Sequence, residues 1–526
     1  MCGIFFYYQR DELTQSQIET LKTFFQKIQH RGPDCTTSSI LKSNYGQGFI
    51  GFHRLAIIDP TPQTNPYLYD NEVYLTCNGE IYNYKYLITK YNLPVKTGSD
   101  CEVILQLYLH YPELWPEILK ELDGVFAFIL YDNKNGKIIA GRDRFGVRPM
   151  FLSITDNTVS FSSEGKGIPN EGGQPFKPGH YLSMDLSDWS FNFVKWFTWG
   201  NYFPVTFEIS QKIVKELFIE GVKKRLISDR PIGFLVSGGL DSSLVASIAS
   251  QFLPKITTFS IGLPGSPDLE AARKVAEYLN SDHHEIIIST QDIIDALPNV
   301  IYHNESYDTT TTRASIPMYL LAKYIRKNTD IKVIFSGEGA DELFGGYLYF
   351  HKAPTFDHFQ KETHYLLEEL YKYDLLRGDR TTAAWGLELR VPFLDASLVS
   401  FVAMLDPSHK MPSKHSIEKE LLRSAFTGYL PECILYRQKE AFSDGVGYNS
   451  VKSLKEWAEQ FEYSLQPHIT GAKPITMESK LYYKLFTDRY AKNLGLYTEY
   501  YWMPKWYEGI TDPSATVLDV HNKSKK

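Results

Sequence analysis

The sequence predicts an α/β protein of two domains, and three observations carry that expectation. Up to residue 200, short apolar runs alternate with turns and two helical patterns, as in a packed α+β layer domain. From residue 210 the pattern becomes strand, loop, helix, repeated, which implies a parallel sheet covered by helices. Between them Trp196–Ser210, an aromatic stretch with Gly200 and Pro204, breaks both patterns. The domains are therefore expected at residues 2–200 and 210–520.

In the first domain Cys2–Tyr8 is a β-rich run, and Gln15–Gln29 places apolar residues at 18, 21, 24, 25 and 28 on one helix face. Gln47–Asp59 and Glu72–Cys77 read as strands. Cys101–Tyr111 reads as a helix with Ser99 or Asp100 as its N-cap. Val125–Asp132, Lys137–Gly141 and Met150–Thr155 are further strands. The second domain opens with a periodic helix, Gln211–Leu226. Strand Ile232–Val236 feeds helix Leu240–Phe252, whose Leu240, Leu244, Val245, Ile248 and Phe252 share a face. Strand Ile256–Ile261, helix Asp268–Leu279, strand Glu285–Ile288 and strand Lys332–Phe335 follow. Ligands of such sheets sit beyond the carboxyl ends of the strands.

Composition bounds the function. With 526 residues, 43% of them hydrophobic, the chain can bury two or three cores. A net charge of −7 lacks the basic footprint of a nucleic-acid binder, and 36 Tyr with 32 Phe argue against disorder. The five cysteines, at 2, 35, 77, 101 and 433, are odd in number and show no CxxC spacing, which speaks against a disulfide framework or a zinc site. No apolar run of about 18 residues is present to span a bilayer, and no apolar signal segment follows Met1. The expectation is a cytoplasmic protein that binds neither nucleic acid nor membrane.

Met1-Cys2-Gly3 is the first chemical signal. Methionine before a small residue is commonly removed, which leaves Cys2 at the terminus with its own base. An α-amine with a reference pKa of about 7.7–8.0 is partly neutral near pH 7 and can take the thiol proton. Glutamine would offer such a nucleophile a side-chain amide, a carboxylate and an ammonium group. Arg54 could clamp the carboxylate, and either Asp100 or Glu80 could hold the ammonium. The Asn78-Gly79 turn could supply oxyanion donors from its amide and backbone N–H.

The second signal is Ser237-Gly238-Gly239-Leu240-Asp241-Ser242-Ser243, between a buried strand and an amphipathic helix. Its glycines admit an anion close to the backbone, and the helix N-terminus with three hydroxyls supplies donors. It has no lysine and is not a GxxxxGK[ST] loop. Ser336-Gly337-Glu338-Gly339-Ala340-Asp341-Glu342 repeats the strand-end logic, with three acidic residues that could bind Mg²⁺ or an ammonium group.

Met1–Asp34, Gly51–Asp59, Asn78–Asn83 and Arg142–Pro149 resemble class II glutamine amidotransferase domains, which are N-terminal nucleophile hydrolases with a four-layer α/β/β/α sandwich. That resemblance implies Cys2 as nucleophile, glutamine contacts from Arg54, Asn78, Gly79 and Asp100, and a substrate border along Leu55, Ala56, Ile57, Ile58 and Glu80. SGGLDSS resembles the pyrophosphate loop of ATP pyrophosphatases, in a sheet of the adenine-nucleotide hydrolase type. Ser266–Leu269, Ala271–Ala276, Arg313–Ser315, Leu387–Asp395, Lys439–Gly445 and Tyr501–Trp506, taken in that order, are similar to the asparagine synthetase family.

The resemblance implies the remaining assignments. Leu235, Ile261, Ser336 and Gly337 line the adenosine pocket. Ser237, Gly238, Gly239, Ser242 and Ser243, with Asp241, hold pyrophosphate and Mg²⁺. Glu338 assists formation of β-aspartyl-AMP or deprotonates ammonia, and Lys439 stabilises charge at the α-phosphate. Thr310, Thr311, Arg313, Asp341, Asp374 and Arg377 are candidates for the aspartate or nucleotide pocket. The implied substrates are glutamine, aspartate and ATP, the implied assembly a homodimer, and ammonia must travel shielded from protonation. The alternatives are a ligase for another carboxylic acid and an inactive regulatory partner.

Overall fold

The computed structural model describes the chain except residues 62–66, 70–71, 171–172, 201, 203, 413–416, 439–444, 446–447, 462–473, 491–501, 510–511, 513–517 and 519–526. The backbone divides into two compact units: one holds Met1–Thr198 and Ala383–Glu388, the other Trp199–Thr382 and most of the chain after Leu389.

The first unit is built on two six-stranded sheets. Its strands are β1 (Gly3–Gln9), β2 (Cys35–Ser43), β3 (Gly46–Arg54), β4 (Tyr67–Tyr69), β5 (Val73–Ile81), β6 (Gly124–Asp132), β7 (Lys137–Arg142), β8 (Phe151–Ile154), β9 (Thr158–Ser162), β10 (Gln174–Pro175), β11 (His180–Asp185) and β12 (Phe191–Lys195). One sheet runs β10-β8-β9-β1-β3-β2 and the other β12-β11-β7-β6-β5-β4. The period-2 alternation of β1 decides its surroundings. Ile4, Phe6 and Tyr8 enter the core shared with the second sheet, while Phe5 and Tyr7 pack with Leu21 and Phe25 of helix α1 (Gln15–Gln26). Strand β6 does the same on the far side. Ala127, Ile129 and Tyr131 face the first sheet, and Phe126, Phe128 and Leu130 face helices α2 (Tyr84–Tyr91) and α3 (Glu102–His110). The result is the expected helix, sheet, sheet, helix sandwich.

Two local expectations are corrected. The strand read as Gln47–Asp59 stops at Arg54. The Arg54 guanidinium there donates to the carbonyls of Ile58, Asp59 and Thr61, and Asp59 takes a left-handed φ of 50°, so the chain folds back. Neither Ser99 nor Asp100 caps α3, whose N-cap is Cys101 without a side-chain bond. Asp100 instead accepts the Ile81 N–H at 2.6 Å, which ties α3 to the end of β5.

The second unit opens with α4 (Phe207–Lys224), N-capped by Thr206, and holds a five-stranded sheet. Its strands are β13 (Ile232–Leu235), β14 (Thr257–Gly262), β15 (Asp282–Ile287), β16 (Val333–Phe335) and β17 (Glu388–Arg390), in the order β15-β14-β13-β16-β17. The β15/β14, β14/β13 and β13/β16 pairs are parallel. Helices α5 (Leu240–Ala249), α6 (Pro267–Tyr278), α7 (Thr290–Asn304) and α8 (Thr309–Asn328) connect them. Leu244, Val245 and Ile248 of α5 are buried as expected, but the helix ends at Ala249 and leaves Phe252 41% exposed. Pro254 disfavours helical backbone at the residue before it.

The strand order matters for function. From β13 the chain moves outward through β14 to β15 and then returns to β16 on the other side of β13. That reversal is a topological switch point, where open α/β sheets bind ligands. Phe234 pairs with Phe335, so the loops after β13 and β16 leave the sheet side by side.

Candidate active sites

In the first unit the site is organised around Cys2. Its backbone N–H donates to Asn78 Oδ1 at 2.8 Å. Because that side of the amide must be its oxygen, Asn78 presents Nδ2 on the other side. This nitrogen is buried and has no hydrogen-bond partner among the described residues. Cys2 Sγ accepts from the Leu55 N–H at 3.4 Å. Burial pushes the thiol pKa up, opposed by the nearby terminal ammonium and the Leu55 contact. Met1 is buried, with its amine 3.9 Å from Glu388, and burial draws that amine down to about 6.

The sequence-predicted glutamine residues gather here in different ways. Leu55, Ala56 and Ile57 are buried beside Cys2, and Ala56 N–H is fixed by Asp34 at 2.9 Å. Ile58 sits at the fold-back as a carbonyl acceptor of Arg54. Glu80 and Asp100 are buried, and Asn78 and Gly79 lie within β5, paired with Ala127 and Phe126, so they are strand and not the turn read from the sequence. Arg54 does not stand open as a carboxylate clamp, because its guanidinium braces residues 58–61.

Two residues of the site escaped the sequence reasoning. Arg31 is fully buried; its Nε donates to the Cys2 carbonyl at 3.0 Å and its Nη1 reaches Glu164 at 2.7 Å. Glu164 also meets His30 at 3.1 Å and Lys166. This buried carboxylate fixes the arginine that holds the Cys2 backbone. The charged run His30–Asp34 could have signalled this arginine, but its partner lies 133 residues away.

In the second unit a cavity opens at the switch point. Leu235, Ile261, Ser336 and Gly337 line it at the strand ends, with Ser237, Gly239, Asp241 and Ser242 from the loop. Ser237 Oγ and Ser242 Oγ lie 3.1 Å apart, and Ser237 Oγ accepts from Gly239 N–H at 3.2 Å. The N-cap of α5 is Gly239 and makes no side-chain bond, so the first-turn N–H groups of this helix stay available to an anion. Gly238, at φ 69°, is not on the cavity wall; a Cβ there would collide with Ala271 and Ala272 of α6. Ser243 is fully buried and also off the wall.

The remaining candidates divide. Thr310 and Thr311 line the cavity with buried hydroxyls that have no partner among the described residues. Arg377 bridges Glu338 at 3.3 Å and Asp374 at 3.1 Å, and all three line the cavity, as does Asp341. Arg313 reaches the wall, but Glu478 and Asp512 both hold its guanidinium, at 2.5 Å and 3.0 Å. Lys439 lies outside the described residues. Sequence reasoning also missed Lys419, Arg437 and the pairing of Glu342 with Tyr347, all of which line the cavity. Arg437 binds Asp268 at 2.6 Å and the Ser237 carbonyl at 3.4 Å. Burial, with Asp374 and Asp341 close by, raises the Glu342 carboxyl well above the usual range, and Tyr347 donates to it at 2.5 Å.

Among the described residues no helix is long and apolar enough to cross a membrane. Two family profiles match: "Glutamine amidotransferase domain" over residues 1–180, and "Asparagine synthase" over 213–361 and 352–467. The chain is 42% identical to asparagine synthetase (glutamine-hydrolyzing) of Mus musculus, over 100% of its own length and 99% of that protein. It is 39% identical to the probable asparagine synthetase (glutamine-hydrolyzing) of Acanthamoeba polyphaga mimivirus, over 99% of this chain and 100% of the relative. With asparagine synthetase (glutamine-hydrolyzing) 1 of Arabidopsis thaliana it shares 42% identity, covering 93% of this chain and 86% of the relative. The protein thus belongs to the family of glutamine-hydrolysing asparagine synthetases.

Proposed function

We propose that the protein makes asparagine from aspartate, ATP and glutamine, with residues 2–200 hydrolysing glutamine and residues 210–520 activating aspartate. The names of its full-length relatives support the overall reaction. The observation that carries the glutaminase half is the setting of Cys2. Its nitrogen rests on Asn78 Oδ1, and the Asn78 Nδ2 donor is buried without a partner among the described residues.

Removal of Met1 turns the Cys2 nitrogen into a free α-amine beside the thiol. The amine takes the thiol proton, and Sγ attacks the glutamine amide carbon. Asn78 Nδ2 and the Gly79 N–H face the oxyanion that forms. The C–N bond breaks, ammonia leaves with the proton, and water later releases glutamate from the thioester. Arg54 shapes the Leu55–Ile58 border for glutamine, and Asp100 or Glu80 takes the ammonium group.

In the second unit a β-carboxylate oxygen of aspartate attacks the ATP α-phosphorus, and pyrophosphate leaves into the Ser237–Ser243 loop. Leu235, Ile261, Ser336 and Gly337 surround the adenosine. Ammonia attacks the acyl carbon of β-aspartyl-AMP, Glu338 takes the proton, and AMP departs. Thr310, Thr311, Asp374 and Arg377 border the aspartate, and the family resemblance assigns Lys439 to charge stabilisation at the α-phosphate.

The residues present suit Mg²⁺. Asp241 Oδ1 is buried without a hydrogen-bond partner among the described residues, and the carboxylates of Asp241 and Asp341 converge on one cationic group. These hard oxygen donors would hold the ion, which when bound neutralises polyphosphate charge. The reading includes a cytoplasmic location, supported by the unpaired cysteine usage, and a homodimer, supported by family resemblance alone.

The test is direct. Protein incubated with aspartate, ATP, Mg²⁺ and either glutamine or ammonium chloride should yield asparagine and AMP from both nitrogen sources. Cys2→Ala should lose only the glutamine-driven reaction. No asparagine from folded protein with either source would sink the assignment.

A further inference from the structure

Lys419 is the N-cap of the short helix Glu420–Ala425 and takes a left-handed φ of 58°, a conformation side-chain-bearing residues seldom adopt. Its side chain is 1% exposed. Its Nζ lies 2.5 Å from Asp241 Oδ2 and 2.5 Å from Asp341 Oδ1. The two carboxylates come from the two glycine-rich loops that leave β13 and β16. The space for the lysine is also built: a Cβ at Gly346 would overlap both Lys419 Cε and Asp341 Oδ1.

Two carboxylates that converge in a partly closed cavity repel unless a cation lies between them. Without a metal, the ammonium does this. Mg²⁺ sits about 2.0–2.1 Å from its oxygen ligands. An ion on Asp241 Oδ2 and Asp341 Oδ1 would therefore fall within contact distance of Nζ, and the two cations cannot share these oxygens. This step rests on the reading of Asp241 as a magnesium ligand.

We propose that Lys419 is a positioning residue for aspartate activation, which holds Asp241 and Asp341 together as a stand-in for the metal and gives way when Mg²⁺ arrives with ATP. The exchange makes metal binding conditional on nucleotide. Free divalent ions must displace a buried ammonium unaided, whereas the ion carried by ATP brings phosphate charge to receive it.

The measurement is Mn²⁺ binding followed by electron paramagnetic resonance on the full chain, with and without ATP, for wild type, Lys419→Met and Lys419→Gln. Retained glutaminase activity and an unchanged circular dichroism spectrum report folding. The neutral variants should bind Mn²⁺ without nucleotide at least about tenfold more tightly than wild type, since a competing charge has gone. Lys419→Arg keeps the charge and should bind nucleotide-free Mn²⁺ no more tightly than wild type. Wild type should bind Mn²⁺ strongly only when ATP is present, and the ATP-induced gain should shrink in the neutral variants. Unchanged nucleotide-free affinity in a folded neutral variant would overturn the role of Lys419. Failure of wild type to bind Mn²⁺ even with ATP would overturn the metal reading and the proposal with it.

Discussion

Replacing Asn78 by aspartate removes one hydrogen-bond donor and keeps one acceptor. In the folded chain Asn78 is fully buried and its two amide atoms do different things. Oδ1 accepts from the Cys2 nitrogen at 2.8 Å, and Nδ2 has no partner among the described residues. Aspartate can still hold the Cys2 nitrogen through one oxygen, but it places a second oxygen where the donor was. Loss of one oxyanion donor costs about 2.7–4 kcal/mol of transition-state stabilisation, or about 10²–10³ in kcat. A carboxylate facing a developing oxyanion should push the loss toward the upper end. An Asn78 that acts only on the developing oxyanion leaves the KM for glutamine little changed. Glutamate release from glutamine measures the effect, and asparagine formed from ammonium chloride should continue at the wild-type rate. A glutaminase kcat within about threefold of wild type would refute the donor role, because that corresponds to less than about 1 kcal/mol. A large rise in KM at unchanged kcat would instead assign Asn78 to substrate binding.

Two further outcomes are expected. Arg313→Met leaves Glu478, 1% exposed, without the guanidinium that holds it at 2.5 Å. Unpairing a buried carboxylate costs about 3–5 kcal/mol, so the melting temperature should fall; a variant that folds as well as wild type and loses only aspartate affinity would return Arg313 to the substrate pocket. Lys410 is 4% exposed, donates to the Val402 carbonyl at 2.8 Å, and is drawn by burial down to about 7. Its unfolded value is higher, so the unfolded chain binds more protons between these values and stability rises with pH across that window; below it the full penalty for a buried charge remains. The melting-temperature advantage of Lys410→Met should therefore be largest near pH 6 and shrink toward pH 9, on top of any constant loss from the missing hydrogen bond. A pH-independent difference would show that Lys410 is not titrating in the folded state.

Much of the architecture was legible because it is written in contiguous residues. Alternation in β1 and β6 separates two cores face by face, and the residues that place β13 before a glycine turn and an amphipathic helix are neighbours in the chain. Even the errors were local. The strand after Gly46 ended early because Arg54 bends the next residues back on themselves, and α5 stopped at Ala249, short of Phe252. Asp100 looked like a cap from its place before a helix, but it bonds Ile81 on a different element.

By itself the sequence determined the candidate nucleophile Cys2, the two glycine-rich strand-end loops and the succession of strands and helices that carry them. Only the tertiary structure decided which side chains those groups meet. Lys419 reaches Asp241 across 178 residues, Arg31 takes Glu164 across 133, and Arg313 is claimed by Glu478 from 165 residues away. The parallel pairing of β13 with β16 brings the two loops to one place. The reason is physical. Periodicity, caps and glycine turns depend on neighbours a few residues apart, whereas a buried charge is satisfied by whichever group the packed sheets and helices deliver to it, and sequence spacing carries no trace of that delivery.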